Sequence, residues 1–206
     1  MRRPLPALAL LLAALALPLA SGCDDGPVTR ADAGPLPDMY EVVFDTTAGE
    51  VVAEVHPEWS PFGARRFGEL VEAGFYDDVT FFRVVPGFVV QWGLSGDPAA
   101  NSRWVGSTIP DDPVIESNVR GMMTFAKTGA PDSRSTQLFI NYGDNSFLDS
   151  MGFSPFARIT SGMEVVDAIN AEYAEAPDQS RIRAEGEAYL GANFPNLDRI
   201  RSARVR

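Results

Sequence analysis

The segment Phe81-Phe82-Arg83-Val84-Val85-Pro86-Gly87-Phe88-Val89-Val90-Gln91 constrains the fold more than any other part of the chain. Its branched and aromatic residues favour extended backbone, and Pro86-Gly87 marks a turn between two strands. Alternation along the first strand predicts Phe81 and Arg83 on one face, Phe82 and Val84 on the other. In the second strand Phe88 and Val90 are expected to share a face, with Val89 and Gln91 opposite them unless a bulge intervenes. A guanidinium keeps its charge, so its place in so apolar a run requires either acceptors or a route to water. An edge-strand arginine reaching solvent meets that requirement as well as a binding site does.

Other segments repeat the theme of short strands and turns. Tyr40–Thr46 and residues 49–55 alternate apolar and polar side chains around Thr47-Ala48-Gly49, as a hairpin would. Ser60-Pro61 opens a predicted helix, with Ser60 as its cap, Pro61 in the first turn, and Phe62, Phe67, Leu70 and Val71 as its apolar stripe. A second helix is predicted after Thr160-Ser161-Gly162, with Met163, Val165, Val166 and Ile169 turned inward. Near the C-terminus an insertion at about 174–195 carries a further amphipathic helix on Ile182, Tyr189 and Leu190, before a final strand within 197–205.

The remaining blocks are Gly121-Met122-Met123-Thr124-Phe125-Ala126-Lys127-Thr128, Ser135-Thr136-Gln137-Leu138-Phe139-Ile140-Asn141 and Asn145-Ser146-Phe147-Leu148-Asp149. With the Phe-Phe-Arg segment and Gln91, their order and spacing from about residue 40 to 170 resemble the cyclophilin family of peptidyl-prolyl cis-trans isomerases. The resemblance implies a mainly β fold: a closed eight-stranded antiparallel barrel capped by two helices, here with an extra C-terminal helix. Extensions of that kind occur in a divergent bacterial and plant branch of the family. It also implies site residues. Arg83 would be the donor to the prolyl nitrogen, and Gln91 would orient it. Phe88, Val89, Phe139 and Leu148 would form the proline pocket. Ala126, the backbone of Lys127, Gln137 and Phe147 would contact the flanking peptide.

This chain departs from the family in four places. Phe82 stands where many members carry histidine, and Phe147 where many carry tryptophan. Val89 takes a position often held by methionine, and Trp92 one commonly held by glycine, which predicts crowding beside Gln91. These departures, above all Phe82, Trp92 and Phe147, keep an alternative in play: a catalytically weak proline-peptide binding module or chaperone.

The chemistry such a site must perform is modest in kind and large in barrier. An X-Pro bond interconverts over about 18–20 kcal/mol because amide resonance is lost on the way. No bond is made or broken, so the site needs no nucleophile, metal or cofactor, only tighter binding of the twisted amide. The composition agrees, with one histidine and one cysteine in the chain. His56 reads as a surface or loop histidine, Asp144, Asn145 and Asp149 as turn residues.

The N-terminus sets an expected cellular context. Met1-Arg2-Arg3 precedes a Leu/Ala run over 5–20, too short for a spanning helix and right for a signal segment, 1–22. It ends in Leu19-Ala20-Ser21-Gly22-Cys23, which resembles a bacterial lipobox and implies lipid on Cys23, with Ala20 where leucine is usual. Residues 23–38 lack hydrophobic periodicity and read as a flexible tether before a single domain at 39–206. Asp24 hints at inner-membrane retention. The net charge is −11 at pH 7, and loss of Arg2 and Arg3 makes the mature chain about two charges more negative. An acidic surface disfavours nucleic acid and anionic lipid. The expected partners are therefore proline-containing polypeptides and a membrane reached through lipid, for a monomer facing the periplasm.

Overall fold

The computed structural model describes residues 38–104 and 106–206. The signal segment 1–22, Cys23 and the tether apart from Asp38 lie outside the described residues.

The first elements follow from local chemistry. β1 (Tyr40–Thr46) and β2 (Glu50–Val55) pair antiparallel, Val43 opposite Val52, and the Thr46 hydroxyl donates to the Gly49 carbonyl at 2.6 Å to close the turn. α1 (Pro61–Glu72) begins at Pro61, whose fixed φ suits a first helical position, and buries Phe62, Phe67, Leu70 and Val71. Ser60 does not cap it. Its hydroxyl instead donates to Asp112 Oδ2 at 2.6 Å, and the Asp112 carboxylate takes the Phe62 and Gly63 amides at 3.2 and 3.0 Å. A carboxylate brought from fifty residues away thus satisfies the orphan donors that a serine was expected to satisfy.

The sheet corrects the expected barrel. β3 (Val79–Thr80), β4 (Arg83–Val85), β5 (Val89–Trp92), β6 (Met122–Phe125), β7 (Leu138–Asn141), β8 (Pro155–Ser161) and β9 (Arg199–Val205) join β1 and β2 in one antiparallel sheet of nine strands. Their order is β3-β9-β1-β2-β8-β6-β7-β5-β4. The sheet curls, but β3 and β4 stand at its two ends and share no ladder, so it is neither eight-stranded nor closed by hydrogen bonds. The two ends are joined by the chain itself, through Phe81-Phe82.

That break also corrects the expected alternation. Phe81 and Val84, not Phe81 and Arg83, lie together in the main core. Phe82 points into a second, smaller cluster, which frees Arg83 to face outward between them. Phe88 sits in the turn before β5, so it packs with Val89 rather than with Val90. Within β5 the alternation holds: Val90 and Trp92 enter the core while Val89 and Gln91 face the other way.

Besides α1, the described helices are α2 (Pro98–Trp104), α3 (Met163–Ala168), α4 (Gln179–Glu185) and α5 (Glu187–Asn193). In the second predicted helix, α3, Val166 is buried while Met163 and Val165 pack partly covered against the core. The C-terminal insertion holds two short helices where one was expected. Gly186 separates them at φ 57°, where a Cβ would lie 2.0 Å from the Gly96 carbonyl oxygen, and the Glu187 amide donates to that same carbonyl at 2.8 Å. Only glycine tolerates this approach. Ile182, Tyr189 and Leu190 then bury against Phe82, Leu94 and Leu197, and β9 returns to pair with β1 and β3.

Candidate functional site

β4 and β5 set Arg83 directly opposite Gln91, and β5 and β7 set Gln91 opposite Phe139. One face of three adjacent strands therefore carries an arginine, a glutamine and an aromatic ring in a row. Arg83 Nη1 donates to Gln91 Oε1 at 3.2 Å, and Gln91 Nε2 donates to Gln137 Oε1 at 2.8 Å. Gln91 is thus committed at both ends, accepting from the arginine and donating to the residue before β7. The guanidinium carbon lies 5.5 Å from the centre of the Phe88 ring, within range of a cation–π attraction.

Beside this polar row lies the apolar part. Val89, Phe139 and Leu148 are buried together, with Phe88 and Ala126 partly covered against them. Phe88, Val89, Phe139 and Leu148 are the residues expected of a proline pocket, and Ala126, expected to contact the flanking peptide, adjoins them. Phe153, which the sequence reading passed over, completes the cluster, its ring 5.9 Å from that of Phe139 and nearly perpendicular. Phe147 is 58% exposed and stacks on Phe88 with centroids 6.1 Å apart, a rim rather than a floor.

The loops that carry these side chains are held by buried amides. Asn145 Nδ2 donates to the Phe88 carbonyl at 2.9 Å, and the Tyr142 amide donates to the same oxygen at 2.8 Å, fixing the turn that presents Phe88. Asn118, fully buried, donates through Nδ2 to Asp149 Oδ1 and to the Phe153 carbonyl, both at 2.8 Å, and accepts from the Thr124 hydroxyl at 2.8 Å. Asp149 also takes the Ser117 hydroxyl and the Asn118 amide. Burial alone would raise the Asp149 pKa, but the donors from Ser117 and Asn118 outweigh it and hold the carboxyl below the usual aspartate range. Asp149 and Asn145 are therefore more than turn residues: they brace the 3₁₀ segment Ser146–Met151 that delivers Leu148.

The Lys127 ammonium is engaged by Asp111 Oδ2 at 2.8 Å. Ala126 gives its amide to the Gln137 carbonyl at 2.9 Å, so its contribution is its methyl group and not a free donor.

The expected crowding from Trp92 is absent. Its ring enters the core, edge-on to Phe44 at 6.1 Å and to Phe81 at 5.6 Å, because it follows Gln91 in a strand and must face the other way. Phe82 is likewise outside the site, beneath α4 and α5. His56 lies in the loop between β2 and α1, as expected, but is buried there and not at the surface. It is 8% exposed, stacked on Trp59 at 3.7 Å, with its ring nitrogens 2.7 Å from Glu58 and from Glu54.

One charged contact was not foreseen. Glu175, between α3 and α4, accepts from Arg83 Nε at 2.6 Å and pairs with Nη2 of the same guanidinium. No local periodicity marks this residue, since the partner lies 92 positions upstream.

Comparison with known proteins gives the family. The family model described as cyclophilin type peptidyl-prolyl cis-trans isomerase/CLD matches residues 41–186. Peptidyl-prolyl cis-trans isomerase A of Dickeya dadantii is 34% identical over 139 residues, 65% of this chain and 73% of that protein. Peptidyl-prolyl cis-trans isomerase B of Escherichia coli is 32% identical over 136 residues, 62% of this chain and 82% of that protein. The crystal structure of a Cryptosporidium parvum cyclophilin type isomerase superposes with a TM-score of 0.61 at 20% identity, covering 82% of this chain and 98% of that one, a likeness of fold. The chain belongs to the cyclophilin-type peptidyl-prolyl cis-trans isomerases.

Proposed function

We propose that the chain isomerises X-Pro bonds by holding the proline ring on Val89, Phe139, Leu148 and Phe153 while Arg83 stabilises the twisted amide. In the planar amide the nitrogen lone pair is delocalised into the carbonyl; at the top of the barrier it is localised and accepts a hydrogen bond. A donor aimed there binds the twisted state better than either ground state, which is the condition for lowering the barrier. The observation that carries this reading is the Arg83–Gln91–Gln137 chain set along the edge of an apolar cluster. Gln91 fixes one side of a permanently charged, planar fork, so little rotamer freedom is lost when substrate arrives. Ala126, Gln137 and Phe147 would grip the residues beside the proline. The Lys127 ammonium, engaged by Asp111, serves the loop that bears it.

A proline-peptide binding module is the competing reading. Two of its three motives, Phe82 and Trp92, point away from the site. Magnetisation-exchange NMR on a short X-Pro peptide separates the readings. Cis and trans resonances should exchange far faster with catalytic amounts of protein than without, and binding without exchange would favour the module.

The cellular setting belongs to the same reading: a monomer, lipid-anchored at Cys23 and facing the periplasm, acting on polypeptides that fold in the cell envelope. Its supports are the basic start, the Leu/Ala run and the lipobox-like Leu19–Cys23. Mass spectrometry of membrane-extracted protein should find a mature chain beginning at an acylated Cys23. An unmodified cysteine or a different first residue would remove the anchor.

A further inference from the structure

We infer that Glu175 is a positioning residue for the isomerisation, gripping the Arg83 guanidinium from the side opposite Gln91. The inference rests on the isomerase reading above and concerns a residue outside the sequence blocks that carry the family resemblance.

Arg83 and its two chain neighbours are each attached to the C-terminal insertion by a different interaction. The Phe82 ring packs with Ile182, Tyr189 and Leu190. The Arg83 guanidinium gives Nε–H to Glu175 Oε1 at 2.6 Å, and Nη2 pairs with the same oxygen. The Val84 amide donates to the Ala174 carbonyl at 3.0 Å. That last bond places the backbone of the residue before Glu175 against the edge of β4. Ala174 holds φ at 48°, the left-handed region that an alanine enters only at a cost. The chain accepts this conformation where it turns the Ala174 carbonyl to Val84 and the Glu175 carboxylate to Arg83. The contact is therefore set by backbone pairing and by an apolar anchor, and not merely by two long side chains meeting in solvent.

The donor arithmetic gives the grip its meaning. A guanidinium has five N–H groups in a fixed plane. Glu175 occupies the side edge formed by Nε and Nη2, and Gln91 takes one hydrogen of Nη1. Nη1 and Nη2 each retain a second N–H. Gln91 and Glu175 together fix the plane while leaving those two N–H groups to a substrate. Gln91 alone cannot do so, because a fork held at one nitrogen still swings about it. With Phe88 beneath the guanidinium at 5.5 Å, the group is constrained in three directions.

The test is a double-mutant cycle in the full chain, read as kcat/KM and as kcat and KM separately on an X-Pro peptide. Glu175→Ala should lower kcat/KM about fivefold, the scale of one partly exposed ion pair, with the loss in kcat and KM little changed. Glu175→Gln keeps an oxygen acceptor for Nε–H and should stay within about twofold of wild type. The Arg83 Nε–H resonance, slowed in exchange in wild type and in Glu175→Gln, should broaden or vanish in Glu175→Ala. In an Arg83→Ala background, Glu175→Ala should change nothing further, since the carboxylate acts only through the guanidinium. Unchanged kcat/KM in Glu175→Ala would overturn the inference. So would increased turnover, which would make the carboxylate a competitor of the substrate, or an equal loss in the Arg83→Ala background. Wild-type activity in Arg83→Ala would instead overturn the isomerase mechanism itself, whatever Glu175 does.

Discussion

The two sides of Arg83 are built from different materials. On the pocket side, loops are locked by buried amides and a carboxylate: Asn118, Asn145 and Asp149 hold Phe88, Leu148 and Phe153 in place. On the insertion side, Glu175 is 59% exposed at its side chain, and its support is the separate cluster of Phe82, Ile182, Tyr189 and Leu190. A buried polar network leaves unsatisfied groups when any member is lost, so it tolerates few alternatives. A satellite cluster can open locally while the main sheet stays folded. The pocket should therefore be the rigid half of the site and the insertion the adjustable half.

The strongest way to break that contrast is Asn118→Ala. It strands the Thr124 hydroxyl, the Phe153 carbonyl and part of Asp149 in a buried setting, and should cost about 3 kcal/mol in urea unfolding, with loss of the pocket. A cost under about 1 kcal/mol would mean the pocket loops stand without the network. Ile182→Ala on the other side removes a fully buried side chain from the satellite cluster and should cost about 2 kcal/mol, the low end for such a truncation. Native-state hydrogen exchange should then show lost protection confined to α4, α5 and the Val84 amide, with β5 and β7 unchanged.

Acid should separate the halves more gently. The folded carboxyls of Asp149 and Asp111 lie below the ordinary value of 3.8: burial works to raise both, but hydrogen bonds to Ser117 and Asn118 prevail at the first, and to Lys127 and the Asp132 amide at the second. A depressed pKa contributes stability that is fully present above the unfolded value and is lost as pH falls through the folded one. The share of stability and of kcat/KM owed to these two carboxylates should therefore be level above 3.8 and fall only below it. A loss of the pocket while pH is still well above that value would assign its bracing to other groups. The smallest effect belongs to the rim. Phe147→Ala, at a largely exposed position, should change stability by less than about 0.5 kcal/mol while raising KM about threefold.

Much of the pocket side was legible because it is local. Phe88, Val89, Phe139 and Leu148 fall in blocks whose order and spacing resemble a known family, and alternation within β5 sends Val89 and Gln91 one way and Val90 the other, although the crowding expected from Trp92 is absent. What escaped depends on contacts distant in sequence. Phe153 lies in a loop with no periodicity and joins the site only because Asn118 holds its carbonyl. Asp112 displaces Ser60 as the cap of α1 because a loop fifty residues on brings a stronger acceptor. The break at Phe81-Phe82 depends on two clusters claiming neighbouring rings, which no single-strand pattern encodes. The same cause hid Gly186 as a helix divider, since its constraint is the Gly96 carbonyl.

Arg83→Ala tests the central claim most directly. In a variant whose unfolding transition and β-sheet spectrum match wild type, kcat/KM on an X-Pro peptide should fall at least about tenfold while the peptide still binds in the apolar pocket. Wild-type turnover by that folded variant would contradict the account, leaving the pocket without its proposed donor.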